Sequence, residues 1–176
     1  MNQSFEMLRD ELETVLGGLD EQQTQLRPSG DGSRWCIQQV AGHLRLTYGA
    51  TIEAMDARIS KGTATKASPN LMQRVSQFAV IRVGYFPHGR KAPERVTCST
   101  GEIAIPSSPL IARVTEALRE MDRRIDAAEA IFGSDRRVIS HMILGPLSID
   151  QWRKFHLIHG RHHIKQIWSI RAEHGL

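Results

Sequence analysis

The chain has 176 residues, 40% of them hydrophobic and 24% charged, enough to bury the core of one ordinary domain, so residues 1–176 are expected to form a single unit. No apolar run approaches the roughly 20 residues that cross a bilayer, and Glu6, Asp10, Glu11 and Glu13 stand where a signal peptide needs a basic start and an apolar centre, which excludes a membrane span and argues against export by that route. The 23 basic and 19 acidic residues leave a net charge of +4, but the signs alternate in stretches such as Glu116, Arg119, Glu120, Asp122 and Arg123, as on a solvated helix face, so nucleic acid is not an expected partner. Two cysteines, Cys36 and Cys98, make neither a disulfide framework nor a CxxC pair, and the expected compartment is the cytoplasm.

In chain order, Phe5, Leu8, Leu12, Val15, Leu16 and Leu19 recur at helical spacing, predicting a first helix from about Ser4 to Gln25 whose end Gly17-Gly18 weakens. Ile37, Val40, Leu44, Tyr48, Ile52, Met55 and Ile59 predict a second, with Ser33 as a plausible cap and an end near Gly62. Ser68-Pro69 reads as a cap followed by a first-turn proline, opening a third helix over 69–83. The stretch that follows, 84–107, has three prolines and is long for a connection inside one domain, which suggests a roof over a site. Ser108-Pro109 repeats the cap device before a fourth helix ending at Gly133, and Ser148 with Gln151 forms a capping-box pattern opening a fifth over 149–173. No segment reads convincingly as a sheet, although 95–98 and 103–105 have the character of short extended pieces. Four or five amphipathic helices with mostly short connections predict an all-α antiparallel bundle.

The histidines are concentrated on the last helix: four of the eight lie in FHLIHGRHHIKQIW. At 100° per residue, Trp152, His159, His163, Gln166 and Ile170 share one face. Two imidazoles and an amide inside an inward stripe need partners, and a metal ion would supply one. His159 and His163, at i and i+4, are spaced so that both can point at one ion, although such pairs also occur as hydrogen-bonded core residues. The candidate third ligand is His43, on the margin of the second helix's apolar stripe, where a lone histidine is more often a satisfied core residue.

WCIQQVAGHL (35–44), SHMILGPLSIDQWRKFH and the terminal HGRHHIKQI together resemble the DinB-like superfamily of bacterial metalloenzymes. The resemblance implies an up-down four-helix bundle with an additional short helix and a long loop, and a site of three metal ligands that maps onto His43, His159 and His163, leaving His162 outside it. His141 with its LGPLS resembles a histidine-led turn in one branch of the superfamily. It reads as a loop that positions the last helix or as a residue beside the ligands or the substrate. His88 is expected at the surface, His156 in packing, and both cysteines as small apolar residues.

Three neutral imidazoles leave a divalent ion, zinc or nickel, with open positions and its full charge, an arrangement that lowers the pKa of a coordinated water or thiol. Characterised members of the superfamily include enzymes dependent on low-molecular-weight thiols, so the resemblance implies a thiol-dependent S-transferase acting on small electrophiles. A metal-dependent hydrolase and a non-catalytic, stress-related metal-binding module are the alternatives. Apolar arcs wider than one core requires, together with the resemblance, predict a homodimer.

Overall fold

The computed structural model describes residues 1–30, 32–86, 93–98 and 102–176. They are mostly helical, with one small hairpin, and among them no helix is long and apolar enough to cross a membrane. Helix α1 spans Gln3–Leu16, its first turn capped by the Asn2 side chain, which accepts from the Ser4 N–H at 3.0 Å. The predicted continuation to Gln25 is broken: Gly18 takes a left-handed φ of 75°, and the chain restarts as a single capped turn, α2, over Glu21–Thr24. Helix α3 spans Ile37–Lys61 and ends at Gly62, whose φ of 64° closes it. Its N-cap is Cys36 rather than Ser33, with the Gln39 side chain accepting the Cys36 N–H at 3.1 Å.

The third predicted helix starts two residues late. Asn70 and Gln73 form its capping box, α4 covers Leu71–Gln77, and a turn of π-helix, Phe78–Arg82, continues it. A 3-10 turn follows at Glu94–Val96, where an extended piece was expected, and 103–105 forms no strand. Helix α5 spans Ser107–Phe132 with Pro106 as its N-cap, so Pro109 falls inside the first turn, where a missing N–H costs nothing.

The strands lie where connection was read. Strands β1 (Arg137–His141) and β2 (Gly145–Ser148) pair antiparallel, with Ile139 opposite Leu147 and His141 opposite Gly145. Pro146 inside β2 argues against a strand in the sequence, yet a two-stranded ribbon has only edges, and an edge tolerates the missing donor. His141 Nδ1 accepts the N–H groups of Ile143 and Leu144 at 3.1 and 3.2 Å and so closes the turn. Ser148 then opens α6, Ile149–Glu173, with the capping box expected from the sequence.

The core is built by the four long helices: Leu8 and Leu12 of α1, Leu44, Tyr48 and Met55 of α3, Leu118, Met121 and Ile125 of α5, and Ile167 and Ile170 of α6 are all fully buried. Helix α3 packs along α5, and α1 bridges α5 and α6. At Gly160 the α1–α6 approach is close enough that a β-carbon would lie 2.8 Å from the methyl groups of Leu8. That close approach falls one residue after His159.

Candidate metal centre

Positions 159 and 163 are one turn apart on the inward face of α6, and His43 reaches them from α3. All three side chains are buried, 5–7% exposed. Their Nε2 atoms converge: His159 Nε2 lies 3.2 Å from that of His43 and 3.1 Å from that of His163. Among the described residues these three histidines are the group whose ligand atoms lie close enough to hold a metal ion, and no carboxylate or thiolate joins them.

The outward-facing nitrogens decide what the inward ones can do. His43 Nδ1 lies 2.7 Å from the carbonyl oxygen of Val96. A carbonyl has no proton to give, so Nδ1 is the donor and a neutral His43 presents a bare lone pair at Nε2. His163 Nδ1 stands in the same relation to Gln166 Oε1 at 2.9 Å, so its Nε2 is bare as well. Both lone pairs point at His159 Nε2. A single proton there can satisfy one of them, and the other faces an imidazole with nothing to donate.

A cation resolves that conflict. Ligand nitrogens about 2.0–2.1 Å from a tetrahedral ion stand about 3.3–3.4 Å apart, and octahedral neighbours about 2.8–3.0 Å; the separations of His159 from His43 and from His163 lie in this span, and all three ligand atoms lie within 4.8 Å of one another. The donor set therefore fits a divalent ion of borderline softness, with at least one coordination position left for a non-protein ligand. The Val96 carbonyl and the Gln166 amide are the outer partners that such ligands use to fix tautomer and ring orientation.

Burial also sets the charge. Desolvation lowers the pKa of His43, pushes His163 down to about 3, and with the neighbouring imidazoles takes His159 well below its ordinary value. The rings are neutral near pH 7, the form that binds metal. Aromatic walls hold them in place: Phe155 stacks on His159 with 10° between the planes, Phe86 covers the same ring at 5.4 Å, and Trp35 lies 4.9 Å from His43.

The remaining candidates fall elsewhere. His162 packs against Phe86 and is outside the three-histidine group, and fully buried His156 is enclosed by Trp152, Tyr48 and Phe155. His141, the last residue of β1, accepts the turn's N–H groups and packs on Phe155 and Trp152. Both cysteines are buried and form no disulfide, and burial raises the Cys98 thiol to about 11, which does not poise it as a nucleophile. His88 and part of the expected roof lie outside the described residues. The described part of that roof does more than cover the site, because Val96 belongs to it and holds His43. Sequence reasoning missed this contact: a backbone carbonyl has no residue-type signature. Gln166, by contrast, was visible as an amide on the histidine face.

No curated protein and no solved structure matches the chain. The family model of the DinB superfamily matches residues 4–167, which takes in His43, His159 and His163, all of α3 and α5 and most of α1 and α6. The chain belongs to the DinB superfamily.

Proposed function

We propose that this protein is a metal-dependent enzyme in which His43, His159 and His163 bind one divalent ion, zinc or nickel, and a low-molecular-weight thiol attacks a small electrophile. The observation that carries the metal is the pair of bare Nε2 lone pairs, fixed by Val96 and Gln166, that meet at His159. When bound, such an ion would supply Lewis acidity at its open position and lower the pKa of the group placed there. The chain's own residues do the rest: Val96 and Gln166 aim the ligands, and Phe86, Phe155 and Trp35 restrict water around them. The preference for a thiol over water comes from the family resemblance alone.

The burial of all three ligands favours one second reading, a non-catalytic metal-binding module. Calorimetric titration of the zinc-loaded and metal-free protein with a panel of low-molecular-weight thiols separates the two. Metal-dependent thiol binding supports the S-transferase. Zinc retention without any thiol binding, and without hydrolysis of model esters or amides, supports the module.

We further read the four long helices as an up-down bundle, and the protein as a cytoplasmic homodimer. Support for the dimer comes from α4 and the π-helical turn after it, which turn Gln77 toward the hairpin, donating to the Leu144 and Pro146 carbonyls, and leave Leu71, Met72, Val75 and Phe78 in solvent. A mass in solution that stays monomeric at all concentrations would refute the dimer.

A further inference from the structure

The carbonyl that orients His43 comes from a single 3-10 turn, the one element within the described residues 93–98, so its seating must come from contacts with the rest of the fold. Its internal bonds, Val96 N–H to the Pro93 carbonyl and Thr97 N–H to the Glu94 carbonyl, both 3.0 Å, fix its shape but not its place. Besides the His43 bond itself, two side-chain contacts with α3 hold it among the described residues. Outside, Arg95 pairs with Glu53, but both side chains are about two-thirds exposed, and such a pair contributes little. Inside, the buried Cys98 lays its sulfur against α3, 3.5 Å from the Gln39 carbonyl.

Gly42 makes room for that sulfur. A β-carbon at position 42 would lie 2.5 Å from Cys98 Sγ and 3.9 Å from Cys98 Cβ. Position 42 is the sixth residue of a 25-residue helix, past its first turn, where glycine costs about 1 kcal/mol relative to alanine, and its φ is not in the left-handed region, so no backbone demand explains it. What explains it is space: the absent side chain is a notch, one residue before His43 and filled by Cys98.

We propose that Gly42 and Cys98 are positioning residues of the metal centre. The notch seats the sulfur, the sulfur seats the 93–98 segment, and the segment aims the Val96 carbonyl at His43 Nδ1, so that the lone pair of Nε2 faces His159. This rests on the metal-centre reading above. It adds that the geometry of one ligand is set by a glycine–cysteine contact in which neither residue touches the ion.

The contact is testable because it can be broken from either side and repaired. Gly42→Ala brings a methyl group against Sγ, and Cys98→Leu overfills the notch from the segment's side while leaving α3 unchanged. Each should weaken zinc affinity about 10- to 100-fold, the range for losing a ligand's outer partner. In Gly42→Ala/Cys98→Ala the new methyl takes the space the sulfur leaves, with the two β-carbons at an ordinary 3.9 Å, and affinity should return to within about threefold of wild type, since volume-conserving exchanges are tolerated best. Zinc affinity is measured by competition with a chromophoric chelator. The His43 tautomer is read separately, from the imidazole ¹⁵N shifts of the metal-free protein: Nδ1-protonated in wild type and in the double variant, and mixed in Gly42→Ala and Cys98→Leu.

The proposal is overturned if both single variants bind zinc as wild type does and keep the tautomer, or if the double variant recovers neither. Absence of zinc binding by wild type would instead refute the metal-centre reading, and the tautomer comparison would still decide whether the notch positions His43. If Gly42→Ala does not fold, Cys98→Leu and the double variant carry the comparison.

Discussion

His156 and His159 are buried on the same helix one turn apart, and they serve opposite ends. His156 Nε2 lies 3.1 Å from the Thr51 hydroxyl, and that hydroxyl gives its own proton to the Thr47 carbonyl at 3.1 Å. Thr51 can then only accept, so His156 carries its proton on Nε2. Around His43 and His163 the acceptors sit on the other side of the ring, at Nδ1, and the tautomer is reversed. Residue type, burial and helix face do not distinguish a packing histidine from a metal-binding one here. For His43 and His163 the acceptor on the far nitrogen does, because it decides whether Nε2 offers a proton or a lone pair; His159 Nδ1 is buried without a hydrogen-bond partner among the described residues, so no acceptor sets its tautomer.

The largest effect should come from exchanging roles across that boundary. Alanine at His43, His159 or His163 should abolish stoichiometric zinc after dialysis against a mild chelator, whereas His156→Phe should keep it, as metal analysis of the four purified variants would show. Equal zinc in all four would mean that the two layers do not differ in the way described.

Acid should act on both layers in one direction. Burial pushes His156 and His163 down to about 3, against about 6.5 in an unfolded chain. Between those values the unfolded state binds more protons than the folded one, so stability is complete above about pH 6.5 and falls as pH drops toward 3. The slope for fully buried His156 approaches about 1.4 kcal/mol per pH unit. Bound metal steepens the loss, since protons compete for its ligands. Urea midpoints of metal-free wild type and His156→Phe, taken from pH 7.5 to 4, should show a shallower decline in the variant; parallel curves would remove His156 from the explanation.

Smaller changes test the outer partners. Gln166→Leu removes the acceptor of His163 Nδ1 and should weaken zinc about 10- to 100-fold with little change in thermal midpoint. Thr51→Val is the counterpart below: it strands His156 Nε2, should cost about 1–3 kcal/mol of stability, and should leave zinc affinity unchanged. If Thr51→Val weakened zinc as much as Gln166→Leu, the two layers would be coupled and not separate.

What the sequence disclosed follows the same physics. Helix α6 was legible to the residue, because Ser148 and Gln151 cap it through side chains and its apolar stripe is regular. The three histidines were legible as a set through the family motifs, and Gln166 through its place on their face. The hairpin was not: four- and five-residue strands, one holding Pro146, carry too little alternation to register, and the His141 side chain that accepts the turn's N–H groups has no sequence signature of its own. Neither was the break after α1 placed correctly, since Leu19 keeps helical spacing with Leu16 and lies in the core although the helix has already ended. The Val96 carbonyl and its seating against Gly42 depend on where a loop crosses a helix 50 residues earlier in the chain, which no local pattern encodes.

The central claim is that three imidazole nitrogens, and no other protein atoms, bind the metal. X-ray absorption at the zinc edge, on protein loaded with one equivalent, tests it most directly. The expected spectrum has three imidazole nitrogens and at least one further light ligand at about 2.0–2.1 Å, with the imidazole multiple-scattering signature reduced in His43→Ala. A sulfur shell near about 2.3 Å, or a spectrum indistinguishable from hydrated zinc, would contradict it.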